Sequence, residues 1–485
     1  MVASSAAVDG VAKQLFIGGQ WRDAAEGRTL VVDNPATGQE LARVADASPA
    51  DGMAALTAAA DAQKEWARTD PRERGELLRK AFELITQRAD LFAELMTLEM
   101  GKPLAEAKGE VTYGGEFFRW FSEEAVRISG RYSVAPSGGT RLLTMKQPVG
   151  PTVMITPWNF PLAMGTRKIG PAIAAGCTMV VKPAAETPLT MLALAQLLEE
   201  VGLPAGVLNV ITTSASGEVM EPIIRDPRTR KLTFTGSTAV GRKLIEQSAQ
   251  QVLRVSMELG GNAPFIVFED ADIDAAVEGA MLAKMRNIGE ACTAANRLYV
   301  HASVADEFAD KMAAKMGGLV VADGMDPDSQ VGPLINQKAI DKVDALVRDA
   351  VDRGAQVVTG GSTTGEAGFF YEPTVLTNLP ADADMVREEI FGPVAAIQTF
   401  TDEDEVVAKA NDTEYGLASY FFTRDFSRAI RVAEALDYGM VGVNQGIISN
   451  PAAPFGGVKA SGFGREGGFE GIDEYLEDKY VGIKL

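Results

Sequence analysis

Cys292 lies in the stretch Met285-Arg-Asn-Ile-Gly-Glu-Ala-Cys-Thr-Ala-Ala-Asn-Arg297, thirty-four residues after Glu258 of Met257-Glu-Leu-Gly-Gly-Asn262. A thiol attacks a carbonyl carbon, and a carboxylate beside it takes a proton from the thiol or from a water. Glu258 follows an apolar run and precedes Gly260-Gly261. It is therefore expected at a strand end facing a tight turn, where burial would raise its pKa as a general base requires. Ile155-Thr-Pro-Trp-Asn-Phe-Pro161 adds an amide, Asn159, in a strand-to-helix turn. Held rigidly, its N–H₂ would stabilise a developing oxyanion; the alternative is an ordinary turn asparagine. The other cysteine, Cys177, sits among Ala174-Ala-Gly and Thr-Met-Val180 and reads as a small core residue.

Other motifs divide into useful and weak. In Phe234-Thr-Gly-Ser-Thr-Ala-Val-Gly241 a strand ends, a Gly-Ser turn follows and a helix begins. Gly236 lets backbone approach a phosphate and Ser237 sits where helix N–H groups attract anions, although a plain helix cap explains Ser237 as well. Lys182 closes a strand where a switch in strand order would bind a nucleotide ribose; alone, it reads as readily as a surface lysine. Gly462-Phe-Gly-Arg-Glu-Gly467 matches a dinucleotide spacing but lies too near the C-terminus to open a βαβ unit, and is expected to be a loop. Asp270-Ala-Asp-Ile-Asp274 lacks the glycine and the terminal glutamate of a calcium loop and reads as a helix N-cap cluster, so no metal is expected. The one histidine, His301, is expected to end a strand, which leaves base work to a carboxylate, lysine or tyrosine. Thiol, carboxylate, amide and nucleotide site together imply oxidation of an aldehyde to an acid.

These groups need rigid elements to hold them. Residues 14–47 read as short strands and turns, and Ser48 to about Arg127 as helices, with Leu77, Leu78, Phe82, Leu84 and Ile85 recurring at helical spacing. Residues 129–149 read as a hairpin. Strands and helices then alternate, with strands at Thr152–Thr156, Thr178–Lys182, Val207–Ile211 and Lys231–Thr235, a helix starting at Pro161 and another around 188–201. A second alternating run goes from Ala263 to about 445, and Lys479–Leu485 is a late strand. The pattern implies an α/β protein with parallel sheets covered by helices.

The chain has 485 residues, enough for two to four domains, and 46% apolar residues, enough for large cores. A net charge of −20 makes nucleic acids and anionic membranes poor partners, and an anionic substrate would need local cations. Two cysteines make no disulfide framework and point to a reducing cytoplasm; no signal peptide and no membrane span is read.

Pro157-Trp-Asn-Phe-Pro161, Val181-Lys-Pro183, Phe234-Thr-Gly-Ser237, Glu258-Leu-Gly-Gly261, Cys292, Glu389-Ile-Phe-Gly-Pro393 and Pro454-Phe-Gly-Gly-Val-Lys459 occur in this order across nearly the whole chain. In this the sequence resembles the aldehyde dehydrogenase superfamily. The resemblance implies a Rossmann-type coenzyme-binding domain at 1–128 and 149–256, an α/β catalytic domain at 257–464, and a β-stranded oligomerisation arm at 129–148 and 465–485, in a homodimer or homotetramer. It implies Cys292 as the nucleophile, forming a thiohemiacetal that becomes a thioester after hydride transfer to NADP or NAD. Glu258 would activate the deacylating water, Asn159 with the Cys292 N–H would hold the oxyanion, and Lys168 would assist proton movement. Ile155, Thr156, Trp158, Lys182, Ala185, Gly236, Ser237, Leu259, Glu389 and Phe391 would contact the cofactor.

Trp158–Lys168, Arg286 in Met-Arg-Asn, and Gly446-Ile-Ile-Ser-Asn450 resemble succinate-semialdehyde dehydrogenases. Arg167, Arg286 and Ser449 would then hold a distal carboxylate, which suits the bidentate geometry and fixed charge of arginine, with Phe160 and Phe455 lining the substrate path. The alternative is that each arginine pairs with a nearby glutamate. Three positions depart from the family. Glu290 stands where Gln is usual and is expected to point outward; Ala294 replaces a second cysteine, which excludes a disulfide beside Cys292; Ala185 replaces a glutamate that would repel a 2′-phosphate, so NADP is expected to be tolerated. A glutarate-semialdehyde or other ω-carboxy-aldehyde dehydrogenase is the nearest alternative, and a catalytically silent scaffold the alternative of another class.

Overall fold

The computed structural model describes residues 5–365 and 367–484. Residues 1–4, on which part of the signal-peptide reading rests, and residue 485, the end of the expected last strand, lie outside these.

Two sheets organise the chain. The first runs, in spatial order, Gln20–Arg22, Leu15–Ile17, Leu208–Val210, Met179–Lys182, Thr152–Ile155, Lys231–Thr235, Arg254–Glu258 and Gly462–Phe463. Its five central strands are parallel. Every residue of Thr152–Ile155, Met179–Lys182 and Lys231–Thr235 is buried, the state that continuous apolar runs favour when helices cover both faces. Chain order moves outward from Thr152–Ile155 on one side, then returns to place Lys231–Thr235 on the other. The strand order thus reverses between the carboxyl ends that carry Thr156 and Gly236, where such sheets open a crevice.

The second sheet runs Gln356–Thr359, Thr374–Thr377, Val394–Phe400, Ala295–His301, Ala263–Val267, Ala418–Phe422 and Met440–Val443. Its pairs are parallel except the edge pair Gln356–Thr359 with Thr374–Thr377. Glu258 closes a strand of the first sheet, the Gly260-Gly261 turn follows, and Ala263–Val267 begins the second; Ala295–His301 starts three residues after Cys292. The site therefore lies at the seam, on carboxyl ends of one sheet and amino ends of the other. The seam is tight: a Cβ at Gly261 would lie 2.3 Å from the Cys292 carbonyl oxygen, so only glycine fits there.

Four helices, Pro49–Trp66, Pro71–Gln87, Ala89–Met100 and Leu104–Glu124, fill the expected helical region. Leu104–Glu124 crosses Ala163–Ala175 so closely that a Cβ on Gly114 would stand 3.2 Å from the Ala163 Cα. That approach sets Tyr113 beside the helix carrying Arg167. Pro161 does not start its helix as expected. It lies in a turn, and the helix begins at Ala163 because Glu110, from the crossing helix, accepts from the Leu162 and Ala163 N–H groups at 3.0 and 3.1 Å. A separate antiparallel sheet joins Arg131–Val134, Thr140–Pro148 and Leu476–Lys484, the last starting three residues before the expected position. His301 ends its strand, Asp272 caps the helix Ile273–Met285, and Cys177 is buried.

Candidate active site

Cys292 follows an unusual turn. Asn287, Ile288 and Gly289 are all left-handed, with φ of 55°, 63° and 79°. For a β-branched residue such as Ile288 that conformation is strained, and it persists only where surroundings fix it. Here they do. The Asn287 N–H donates to Glu106 at 2.5 Å, and its side-chain amide donates to the carbonyls of Asn159 and Glu290 at 3.1 and 3.0 Å. The turn presents a half-buried thiol at the seam. Burial pushes that thiol up to about 12; Arg167 opposes the rise, while Glu389 and Glu258 add to it. The resting sulfur is a thiol, and attack on a carbonyl needs a base.

Glu258 is the candidate base for activating a water, and its charge reaches the thiol. It is buried, and neither carboxyl oxygen has a hydrogen-bond partner among the described residues. Burial, reinforced by Glu466, holds its pKa well above the usual carboxylate range against Arg167 and Lys168. Glu466 itself went unnoticed in the sequence. It belongs to the Gly462–Gly467 loop and forms buried ion pairs with both Arg167 and Lys168. Burial opposes ionisation of Glu466, but those two cations outweigh it and lower its pKa. Lys168 is thereby committed to Glu466 and lines none of the cavities at Cys292. The signal for Glu466 lay in the two consecutive helical cations, since buried charges require a counter-ion.

Asn159 is buried, and its Nδ2 donates to the Glu290 carbonyl at 3.0 Å, which leaves its second N–H free. Its own carbonyl accepts from Lys102 Nζ at 2.8 Å, and Lys102 is paired with Glu110. The same ion pair that caps the following helix thus pins the amide loop. Glu290 corrects an expectation: it does not point outward but is fully buried, with one oxygen accepting from the Ile335 N–H at 3.2 Å. The left-handed turn precedes it, and burial raises its pKa well above the usual carboxylate range.

Two cavities meet at Cys292. The wider, about 340 Å³, lies over the sheet crevice and is lined by Trp158, Asn159, Gly236, Ser237, Leu259, Glu389 and Phe391 as well as Cys292. Ser237 caps the helix Thr238–Ala249. Trp158 and Phe391 meet edge to face at 5.4 Å. One Glu389 oxygen accepts from the Gly261 N–H at 3.1 Å, and burial raises that carboxyl to about 7. Ile155 and Thr156, at one strand end, and Lys182 and Ala185, on the paired strand and the loop after it, are not among the residues that line this cavity. Burial lowers the Lys182 pKa, with Glu186 opposing.

The second cavity is a narrow passage of about 10 Å³, lined by Tyr113, Phe160, Met164, Arg167, Arg286, Cys292, Ser449 and Phe455 among others. It shares Tyr113, Phe160, Arg286 and Ser449 with an outer funnel of about 610 Å³. Arg286 donates to the Ser449 hydroxyl at 3.3 Å and makes no ion pair among the described residues. Arg167 lies over the Phe455 ring at 4.1 Å. It does pair with a glutamate, Glu466, yet its Nη2 is buried without a partner among the described residues. Tyr113 was not legible in the sequence.

The chain matches the aldehyde dehydrogenase family over residues 21–481. It belongs to that family. It is 60% identical to a succinate-semialdehyde dehydrogenase of Paenarthrobacter nicotinovorans, over 91% of this chain and 98% of that one. It is 52% identical to a glutarate-semialdehyde dehydrogenase of Pseudomonas aeruginosa, over 97% of each. The crystal structure of an Escherichia coli NADP-dependent enzyme superposes with a TM-score of 0.97 at 52% identity, covering 98% of each chain. The fold is that of the aldehyde dehydrogenases, and Cys292 stands where the two sheets, and the two cavities, of this family member meet.

Proposed function

We propose that this aldehyde dehydrogenase oxidises succinic semialdehyde to succinate with NADP or NAD. One observation carries the substrate: two arginines and a serine line a passage too narrow for bulk water that opens on the Cys292 thiol. In a chain of net charge −20, a buried guanidinium with an unpaired N–H and a second guanidinium free of carboxylates suit an anion at that point. The names of the relatives support the same substrate class, and the glutarate-semialdehyde relative supports the C5 homologue as the alternative.

The wide cavity suits a nicotinamide dinucleotide: it lies at the strand-order switch, with a capped helix N-terminus, an edge-to-face aromatic pair and a carboxyl group that keeps one oxygen free. Ser237 and Lys182 would hold the adenosine end, and Glu389 and Phe391 the nicotinamide end. When bound, the nicotinamide supplies the hydride acceptor that the oxidation requires. The chain's own residues do the rest. Phe160 and Phe455 wall the passage, while Arg286, Ser449 and the free Nη2 of Arg167 take the distal carboxylate. The Cys292 sulfur gives its proton to solvent water and bonds to the aldehyde carbon, and the carbonyl oxygen takes the charge. The free N–H of Asn159 and the Cys292 N–H meet that charge. After oxidation, Glu258 takes a proton from a water that attacks the thioester, and succinate leaves as the Cys292 sulfur is released.

The body built on the first sheet is the coenzyme domain and that on the second the catalytic domain, with Glu258 and Gly462–Phe463 joining the first sheet at the seam. The three-stranded sheet is the oligomerisation arm; its Tyr132 and Tyr480 are 64% and 63% exposed, which suits a second copy of the chain. Among the described residues no helix is long and apolar enough to cross a membrane, and both cysteines are free, which suits a reducing cytoplasm. Steady-state kinetics with succinic semialdehyde, glutaric semialdehyde and butyraldehyde, each with NAD and NADP, tests the reading. Preference for butyraldehyde would overturn it.

A further inference from the structure

The helix Leu104–Glu124 places Tyr113 in the wall of the narrow passage, between the funnel and the thiol. Its hydroxyl is buried, with the Ser449 hydroxyl as a near neighbour and no well-formed hydrogen bond among the described residues. Burying an unpaired hydroxyl costs free energy, so a group in this state at a cavity wall is either a defect or a donor awaiting a ligand. The neighbours decide between the two. Arg286 stacks between two rings, 5.5 Å from that of Tyr113 and 5.1 Å from that of Phe160. The Nη2 of Arg167, on the helix packed against this one, is buried and unpaired as well. Two unpaired donors and an arginine–serine pair thus face one constriction. A carboxylate has about four lone-pair sites, and three donors would leave one unfilled. Burial raises the phenol pKa against the pull of the two guanidiniums and of the Ser449 hydroxyl, so the hydroxyl keeps its proton and can donate.

We propose that the Tyr113 hydroxyl is a fourth donor to the distal carboxylate of the substrate, and that its ring holds Arg286 in place for the same task. This rests on the carboxylate reading of the passage. Tyr113→Phe removes the hydroxyl and keeps the ring; Tyr113→Ala removes both. With succinic semialdehyde, Tyr113→Phe should lower kcat/KM on the order of tenfold, mainly through KM, since it deletes one hydrogen bond to a charged group. Tyr113→Ala should lower it further. Tyr113→Phe should lose far less with butyraldehyde than with succinic semialdehyde, and an unchanged thermal unfolding midpoint shows that the variant is folded. Arg286→Ala, measured alongside, separates the two levels of the inference. If Arg286→Ala loses its preference for the charged substrate while Tyr113→Phe keeps it, the role of Tyr113 is overturned and the carboxylate reading stands. If Tyr113→Phe weakens both substrates equally, Tyr113 only supports the fold and the proposal fails. If Arg286→Ala leaves the preference intact, the carboxylate reading fails and the proposal with it.

Discussion

The two cavities that meet at Cys292 are built differently. The wide one takes much of its wall from backbone at strand ends: the Gly236-Ser237 turn, Leu259 and Gly260, and the loop carrying Glu389 and Phe391. The narrow one is walled by side chains from four separate segments, Tyr113 on one helix, Arg167 on the helix crossing it, Arg286 in the turn before Cys292 and Ser449 in the loop after Met440–Val443. Backbone geometry changes little when a side chain is replaced, so the wide side is a fixed platform that any aldehyde in this fold can use. The narrow side is set by a few replaceable groups, and selectivity between aldehydes should reside there. The Cys292 thiol lines both sides, and the Glu258 carboxyl, which lines neither, serves the chemistry common to both.

Substitutions in the chemistry common to both sides should therefore stop turnover of every aldehyde. Cys292→Ala should show no reduction of cofactor at 340 nm with either a charged or an uncharged aldehyde, while Cys177→Ala, in the core, retains activity. Turnover by the former would remove Cys292 as nucleophile. Glu258→Gln should give a burst of reduced cofactor and then stall, with steady-state turnover down by about 10²–10⁴-fold, the usual weight of a general base. Because the Glu258 carboxyl is held above the ordinary range, wild-type turnover should fall as pH drops through that raised pKa, where the base becomes protonated. The glutamine variant should lack this acidic limb; an unchanged pH profile would assign the limb elsewhere.

Changes confined to one side should have smaller effects that discriminate. Ser449→Ala removes a neutral partner from Arg286 and should cost about 0.5–1.5 kcal/mol, or roughly 2–13-fold in kcat/KM, for succinic semialdehyde alone. An equal loss with butyraldehyde would place Ser449 in the chemistry instead. On the wide side, Ala185→Glu should shift preference from NADP toward NAD by roughly fivefold, about 1 kcal/mol of like-charge repulsion at a wet site. No shift would mean that position 185 does not face the ribose.

The same contrast governs what the sequence disclosed. Strand ends are written locally: Lys231–Thr235, with Leu232 and Phe234 alternating with Lys and Thr, is stopped by Gly236, and the structure has its bounds as expected. Cys292, Glu258 and Asn159 stand beside glycines and prolines that mark turns, so they could be found by spacing and resemblance. Tyr113 could not, because an aromatic at helical period looks like any core residue until the crossing helix turns it toward a cavity. Glu466 was hidden by distance, since it meets Arg167 across 299 positions and sits in a loop whose glycines suggested only a turn. Glu290 was misjudged because a charged side chain normally seeks water; it follows three successive left-handed residues and is buried. Long-range pairing and turn direction are tertiary properties, and no local pattern encodes them.

The central claim is that the narrow passage recognises a distal carboxylate. Arg286 tests it more cleanly than Arg167, whose loss would also strip Glu466 of a partner. The measurement is the ratio of kcat/KM for succinic semialdehyde to that for butyraldehyde, compared between the wild type and Arg286→Ala. A hydrogen bond to a charged group contributes roughly 1.5–3 kcal/mol, so the ratio should fall on the order of 10–150-fold while butyraldehyde turnover persists. If both substrates decline together and the ratio holds, Arg286 serves the fold or the chemistry, and the passage does not read the carboxylate.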